Sequence, residues 1–307
     1  MKNTKKRRGK HRKITRNHKN SSKINHKKKF SKQFTKKMCS AGRKGFSCYS
    51  KKSLEYLKNK WNKKNPNNKI TTNKQVNIWS KLRNKMSNKC SDEKCWLKQD
   101  FIKNNLTNEL KNYTFSPDAP DKWYTNKNQW LTSTDILKVM KQYEYEYKNF
   151  TFIGPSPIDF DTKKEYNMCV WDDLCNFNLE KLLSNNKKMI GFIFNLDPHY
   201  KSGSHWVSMF LNIDQEFLFY NDSTGSSPPK QIKILVKRIL DQSKKLGLNI
   251  KYTINKIQHQ KKNTECGIYS LYFVSELLKG RHPSSFNKIL TDDHIENYRK
   301  IYFNKNF

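Results

Sequence analysis

The sequence has few acidic residues and no long apolar run. Its 307 residues include 26 Asp and Glu against 62 Lys and Arg, which gives a net charge of +36. A charge of this size predicts attraction to polyanions such as nucleic acid. No stretch of about 18 apolar residues occurs, so we expect no membrane-spanning helix. The basic N-terminus carries no apolar segment behind it, which argues against a secretory signal peptide.

The sequence also lacks cysteine pairs with a zinc-ligand spacing. Seven cysteines stand at positions 39, 48, 90, 95, 169, 175 and 266. They form no Cys-x-x-Cys and have no paired histidines nearby, so we expect neither a metal nor another cofactor. An odd number of cysteines without an export signal favours a reducing compartment. We therefore expect the cysteines to be buried free thiols.

The positive charge is densest in residues 1–37, which contain no Asp or Glu. A block of like charges repels itself and buries no core, so residues 1–47 are predicted to form a disordered basic arm. The segment 1–37 is a candidate for nucleic-acid binding or nuclear import. The alternative interpretation is a solubilising tail that has no partner.

Two further regions follow the arm. Apolar residues spaced three and four apart over 48–112 predict a helical accessory region, and a Pro- and Asp-rich linker extends it to 128. Residues 129–307 alternate helical and strand patterns, and two of the strands, Trp206 to Ile213 and Phe217 to Tyr220, are separated by a hairpin turn. Together these patterns predict an α+β domain with a central buried helix on a mostly antiparallel sheet.

Three side chains in this last region have the chemistry of a cysteine hydrolase. Cys266 precedes Gly267 at the start of an apolar run of helical length, and a helix N-terminus favours the thiolate. His205 lies where a loop enters a strand, and Asp222 lies 17 residues later, where the next strand ends. A hairpin brings these ends together, so the carboxylate can orient the imidazole and the imidazole can serve the thiol. Gln260 is a candidate oxyanion donor, together with the backbone N–H of Cys266.

Several alternatives remain open. Asn221 is a rival of Asp222, because an amide oxygen also orients an imidazole. His199 and His259 compete with His205, and Cys266 alone is compatible with a packing role. The order His, Asp, Cys excludes a papain-type enzyme. The same order also fits an all-β, chymotrypsin-like cysteine protease. The apolar helix predicted after Cys266 argues against that all-β fold.

Taken together, these residues resemble the signature of the Ulp1/SENP-type cysteine peptidases, to which the adenovirus protease is related. The motifs are His205-Trp206, Asp222, Gln260 and Cys266-Gly267-Ile268-Tyr269. The likeness is greatest to the thiol proteases of large DNA viruses, including giant viruses and African swine fever virus. It covers residues 129–307 and leaves residues 1–128 without an assigned relative.

The resemblance implies a fold, an activity and a role for each residue. The fold is α+β, and the reaction is hydrolysis after Gly-Gly or a similar motif in a protein substrate. His205 is implied as general base, Asp222 as its orienter and Cys266 as nucleophile. Gln260 is implied as oxyanion donor, and Trp206 as the residue that covers a narrow tunnel for the glycines.

The viral branch adds expectations about location and substrate. There the substrates are structural polyproteins and the enzyme is packaged, which implies the virion and assembly sites in the host cytoplasm. A deconjugase of SUMO or ubiquitin-like proteins and a DNA-associated structural virion protein are the alternatives. Cellular relatives carry Asp where this chain has Glu265, and we expect that difference to have little effect.

Overall fold

The computed structural model describes residues 39–40, 42–43 and 45–304. The segment 1–37 lies outside this part of the chain, so its conformation and its nucleic-acid binding stay predictions. The end of the predicted arm lies inside and is ordered: Cys39 forms an antiparallel bridge with Phe115 and a disulfide with Cys48. These last residues of the arm therefore belong to the accessory region.

The described residues form ten α-helices, five strands and short 3-10 turns. The helices are α1 (Lys51–Lys64), α2 (Gln75–Met86), α3 (Asn108–Asn112), α4 (Ser133–Glu146), α5 (Asp172–Cys175), α6 (Leu179–Ser184), α7 (Lys230–Lys245), α8 (Cys266–Leu278), α9 (Asp292–Glu296) and α10 (Arg299–Tyr302). The strands are β1 (Phe150–Pro157), β2 (Met189–Asn195), β3 (Trp206–Asn212), β4 (Phe217–Asn221) and β5 (Lys251–Ile254). The 3-10 turns are Lys94–Lys98, Lys103–Asn105, Asp121–Tyr124, Glu165–Asn167 and Pro283–Phe286.

The five strands form one sheet in the order β1-β2-β3-β4-β5. The central pairs β2–β3 and β3–β4 are antiparallel, as predicted, whereas the outer pairs β1–β2 and β4–β5 are parallel. The prediction of a mostly antiparallel sheet was therefore wrong at both edges. The cause is the connections: α5 and α6 lie between β1 and β2, and α7 lies between β4 and β5. A helical crossover returns the chain in the same direction.

Both faces of the sheet are covered, which explains why every residue of β3 is buried. One apolar cluster lies between the sheet and helices α8 and α4, and the other lies between the sheet and α7. Helix α8 is apolar on all sides and is almost wholly buried, as that composition requires. The sequence prediction of a central buried helix is confirmed.

The accessory region has a core of its own. Its apolar cluster draws only on residues 39–115 and includes Trp79 and Trp96. A buried carboxylate, Glu93, accepts hydrogen bonds from Ser47 and from the backbone of Cys48. These contacts join the loop before α1 to the turn after α2.

Hydrogen bonds to the backbone tie the accessory region to the peptidase core. Asn304 N donates to Pro117 O at 2.7 Å, and Ala119 N donates to Asn304 O at 2.8 Å. Gln142 in α4 donates through Nε2 to Phe115 O at 2.7 Å. Among the helices in the described ranges, none has the length and apolarity that a bilayer span needs.

The expectation of free thiols was wrong for six of the seven cysteines. Disulfides join Cys39 to Cys48, Cys90 to Cys95 and Cys169 to Cys175, with Cα–Cα distances of 4.9, 5.5 and 6.2 Å. Each pair is close in sequence and meets across a local turn, a proximity that irregular spacing did not reveal. Cys266 is the remaining free cysteine, and it is buried.

Candidate active site

Cys266 is the first residue of α8, directly after Glu265. Its side chain belongs to the apolar cluster between α8 and the sheet and is 2% exposed. The N–H groups of a first helical turn lack intrahelical partners, and with the helix dipole they favour a negative charge. The structure therefore places the sulfur of Cys266 at the end of α8 where these N–H groups lie.

Gly267 lets two side chains approach the start of α8 closely. A Cβ atom at this position would lie 3.1 Å from Cβ of Leu131 and 3.3 Å from Cδ1 of Trp206. Both distances are tighter than ordinary side-chain contacts. Leu131 and Trp206 therefore form the roof over the helix start, and they would have to shift to admit a side chain after Cys266.

His205 lies one residue before β3, at the position that the sequence predicts for a strand entrance. Its Nε2 is 2.8 Å from Oδ1 of Asp222. Burial lowers the pKa of His205, but hydrogen bonds to Asp222 and Cys266 and the negative charges of both outweigh it and raise the pKa from 6.5 to about 10. Because Nε2 is taken by the carboxylate, the contact with Cys266 falls to Nδ1. The imidazole therefore lies between the carboxylate and the sulfur.

Asp222 follows β4 and is buried. Its Oδ1 also accepts from Thr224, through the backbone N at 2.9 Å and Oγ1 at 2.8 Å. Burial raises the pKa of Asp222, but the hydrogen bond and charge of His205 and the Thr224 donors lower it below its usual value. The carboxylate is thus ionised and fixed in its orientation.

Asn221 is the last residue of β4, directly before Asp222. It pairs across the sheet with Ser208. Its amide is buried, and neither Nδ2 nor Oδ1 finds a partner among the described residues. The geometry at His205 therefore favours Asp222 over its rival.

Gln260 is buried and held by the loop that follows Asp222. Its Oε1 accepts from Ser223 Oγ at 2.6 Å, and its backbone N donates to Ser223 O at 2.8 Å. One N–H of its Nε2 donates to Lys262 O at 2.6 Å, which leaves the second for another acceptor. The amide is therefore oriented by the same loop that carries the carboxylate.

A cleft of about 750 Å³ opens beside Trp206. Trp206 is 6% exposed and donates through Nε1 to Leu131 O at 3.1 Å, so its ring is fixed as one wall. The exposed Trp130 and the loop around Gly203 form other parts of the lining. The residues that line the cleft include neither Cys266 nor His205, and Trp206, which lies close to Gly267, is its link to the start of α8.

The two competing histidines have other partners. His199 lines the cleft, where its Nδ1 contacts Asp159 Oδ2 at 2.6 Å. His259 is buried against Phe273, and its Nδ1 accepts from Leu290 N at 3.1 Å. Burial lowers the pKa of His259, which keeps that ring neutral.

Sequence reasoning missed an ion pair directly beside Cys266. Arg299 in α10 donates to Glu265 through Nε at 2.9 Å and Nη2 at 2.8 Å, and both side chains are buried. Arg299 also donates to Gln129 O at 2.9 Å and lies over the ring of Trp123. Glu265 therefore joins the start of α8 to α10, and the expectation that Glu in place of Asp has little effect stays a prediction. No local signal in the sequence links positions 34 residues apart.

The fold and this arrangement of side chains are those of an α+β cysteine peptidase. Residues 172–307 match the model of the Ulp1 protease family, C-terminal catalytic domain. The chain is 35% identical over 219 residues to a protein of Acanthamoeba polyphaga mimivirus that is named as a thiol protease, and the match covers 69% of each. This chain therefore belongs to the Ulp1 family of cysteine proteases.

Proteins of African swine fever virus are also similar. The SUMO-1 cysteine protease of the Warthog isolate is 25% identical over 247 residues, with 75% of this chain and 88% of that protein covered. The crystal structure of an African swine fever virus protease superposes with a TM-score of 0.61 at 20% identity, over 89% of this chain and 98% of that one. This coverage exceeds residues 129–307, so the shared fold includes accessory residues that the sequence left without a relative.

Proposed function

We propose that this protein is a viral thiol protease that hydrolyses peptide bonds after Gly-Gly-like motifs in structural polyproteins during virion maturation. The observation that carries the proposal is the position of His205, which contacts Asp222 and Cys266 with a pKa of about 10. At neutral pH such an imidazole is protonated, and it contacts the sulfur of the proposed nucleophile.

The reaction follows from these positions. The Cys266 thiolate attacks the scissile carbonyl carbon, and the electron pair of the C=O bond moves to oxygen. The free N–H of Gln260 and the backbone N–H of Cys266 stabilise this oxyanion. When the intermediate collapses, the C–N bond breaks and the leaving amine takes the proton of His205.

Hydrolysis of the resulting thioester restores the enzyme. Neutral His205 removes a proton from water, and the hydroxide attacks the thioester carbon. Collapse expels the Cys266 thiolate beside the imidazolium, and the product carboxylic acid gives its proton to solvent. Asp222 stabilises the imidazolium throughout and remains ionised.

The proposed preference for glycine rests on the roof over α8. Leu131 and Trp206 approach so closely that a methyl group on Gly267 would lie 3.1–3.3 Å from them and would force them to shift by a few tenths of an ångström. A substrate backbone passing between this roof and the nucleophile fits best without side chains. Trp206 is therefore the proposed substrate-binding residue.

The choice of a polyprotein substrate and of the virion and host cytoplasm as location is supported by the viral origin of the relatives. The basic segment 1–37 supports binding to nucleic acid, since packaging beside a genome concentrates enzyme and substrate. Deleting this segment is expected to weaken DNA binding and to flatten its salt dependence. An unchanged salt slope would assign the segment a solubilising role.

The activity is tested with Cys266→Ala. Cells or virions that contain the wild-type enzyme should yield new protein N-termini, most of them preceded by glycine, and these should be absent with the variant. Circular dichroism should show an unchanged fold, because alanine leaves the helix start intact. Cleavage retained by the variant would exclude Cys266 as nucleophile.

A deconjugase of SUMO-like proteins is the second candidate, and the name of the African swine fever virus relative favours it. Both reactions release a glycine carboxyl group, so the same site serves either one. Incubation with a SUMO-terminated reactive probe and with viral polyprotein segments distinguishes them by which is consumed.

A non-catalytic, DNA-associated structural protein is the third candidate. Here the disulfides simplify the test, because Cys266 is the free thiol in the described chain. Under non-reducing conditions, a small electrophile such as iodoacetamide should label Cys266 alone, and Asp222→Asn should slow the labelling. A thiol that reacts no faster than a free cysteine in a peptide would favour the structural role.

A further inference from the structure

A second cavity, here called the junction groove, lies between the accessory region and helix α4. It has a volume of about 440 Å³. One wall comes from α4 and includes Leu137 and Lys138, and the other comes from the accessory region and includes Leu97, Lys111 and Phe115. It is therefore a composite of the two parts of the chain.

The junction groove adjoins the cleft beside Trp206. Thr134 and Leu137 line both cavities, so the N-terminal half of α4 is their common wall. From Thr134 to Lys141 the helix rises about 10 Å, the length of roughly three extended residues. A peptide lying in the cleft reaches the groove if it continues along α4.

The charge of the groove is positive on both walls. Lys111 and Lys138 are exposed and line it from opposite walls, and neither has an ion-pair partner among the side chains that the structure describes. Lys94 and Lys141 also line it, paired with Asp118 and Glu144. Two unpaired ammonium groups around an apolar floor match a ligand that carries carboxylates and apolar side chains.

We propose that the junction groove is an exosite for an acidic segment of the protein substrate, a few residues from the scissile bond. The inference rests on the proposed proteolytic function and names how the accessory region selects substrates. Lys111 and Lys138 are its specificity-determining residues, and Leu97, Phe115 and Leu137 receive an apolar side chain. Nucleic acid fits the site less well, because a phosphate backbone has nothing to place against an apolar floor.

The first test compares substrates that differ outside the cleft. The reference substrate is a short internally quenched peptide with a central Gly-Gly. It is compared with peptides that carry an extension of about eight residues at one end or at the other. The extension contains either Glu and Leu or Gln and Leu. The acidic extension at one end should lower KM roughly three- to tenfold in the wild type. Lys111→Glu with Lys138→Glu should abolish this gain and leave the short peptide's kcat/KM unchanged.

The matched control is Lys233→Glu with Lys237→Glu on α7, which covers the other face of the sheet. It changes net charge equally and should keep the preference for the acidic extension. Equal loss in both double variants would overturn the exosite in favour of a general charge effect. If an acidic extension lowers KM at neither end of the peptide, the exosite proposal is also overturned. Cleavage of the short peptide would still support the proposed protease function in that case.

A second readout does not depend on turnover. A fluorescein-labelled acidic peptide should bind the Cys266→Ala protein, and the Lys111/Lys138 double variant should weaken that binding. A DNA duplex serves as competitor in the same assay. If DNA displaces the peptide only from protein that retains Lys111 and Lys138, and if peptides with Glu and with Gln bind equally, the groove would be reassigned to nucleic acid. If no peptide is cleaved while acidic peptides bind, the proposed function fails and the groove remains a protein-binding surface.

Discussion

Replacing Arg299 by alanine is expected to destabilise the protein strongly, although the residue lies outside the proposed catalytic groups. The change removes two hydrogen bonds to Glu265, one to Gln129 O and the contact with the ring of Trp123. It also strands the carboxylate of Glu265, which is 1% exposed. Losing one partner of a buried ion pair costs about 3–5 kcal/mol.

The expected size is measurable by urea unfolding. With a slope of about 3 kcal/mol per molar urea, the midpoint should fall by about 1 M or more. Because Glu265 precedes Cys266 at the helix start, the labelling rate of the thiol should fall as well. Lys300→Ala is the control, since this neighbour is exposed.

A double variant separates the stranded charge from lost packing. Glu265→Gln in the Arg299→Ala background removes the unpaired carboxylate and should restore at least about 1 kcal/mol. A single variant whose midpoint stays within about 0.2 M of the wild type would refute the reasoning. If the second change restores no stability, the loss belongs to the contacts with Gln129 and Trp123.

Two further predictions concern the site. Asp222→Asn should lower kcat by about 10²–10⁴. The pKa of His205 is raised from 6.5 to about 10, so the stability that the pairing contributes is complete below pH 6.5 and is lost as pH rises through 10. The difference in unfolding free energy between wild type and Asp222→Asn, measured by urea unfolding, should therefore shrink across this window. A difference that stays constant with pH would contradict the pairing. Gly267→Ala should lower the free energy of unfolding by about 1–3 kcal/mol and slow turnover, because the new Cβ meets Leu131 and Trp206. Ser270→Ala on the same helix is the control. An unchanged unfolding midpoint in Gly267→Ala would show that Leu131 and Trp206 move aside.

Much of the catalytic half was predictable from local patterns. Apolar patterns indicated strands β3 and β4 and the helix after Cys266, because a buried face repeats every second residue in a strand and every third or fourth in a helix. The hairpin prediction placed His205 and Asp222 at adjacent strand ends, where they indeed meet. The parallel outer pairs were missed because strand order depends on the path of each crossover.

The cysteines also show what local sequence patterns leave undetermined. The irregular spacing predicted free thiols, whereas Cys169 and Cys175 are paired across a turn whose residues Val170 and Trp171 line the cleft. Whether two thiols pair depends on the distance between their Cα atoms, and spacing alone does not determine it. The Glu265–Arg299 pair and the junction groove likewise depend on contacts between distant segments.

The sequence by itself determined the chemical identities and the local elements: a cysteine at a helix start, a histidine and a carboxylate at two ends of a hairpin, and a basic N-terminal segment. Each follows from interactions within a few residues, which the order of the chain fixes. Only the tertiary structure decided that Asp222 rather than Asn221 faces His205, that Arg299 anchors the start of α8, and that the accessory region forms a groove next to the cleft along α4. These features depend on contacts between segments that are far apart in sequence and pack together in the folded chain. No local pattern in the sequence specifies which segments will meet.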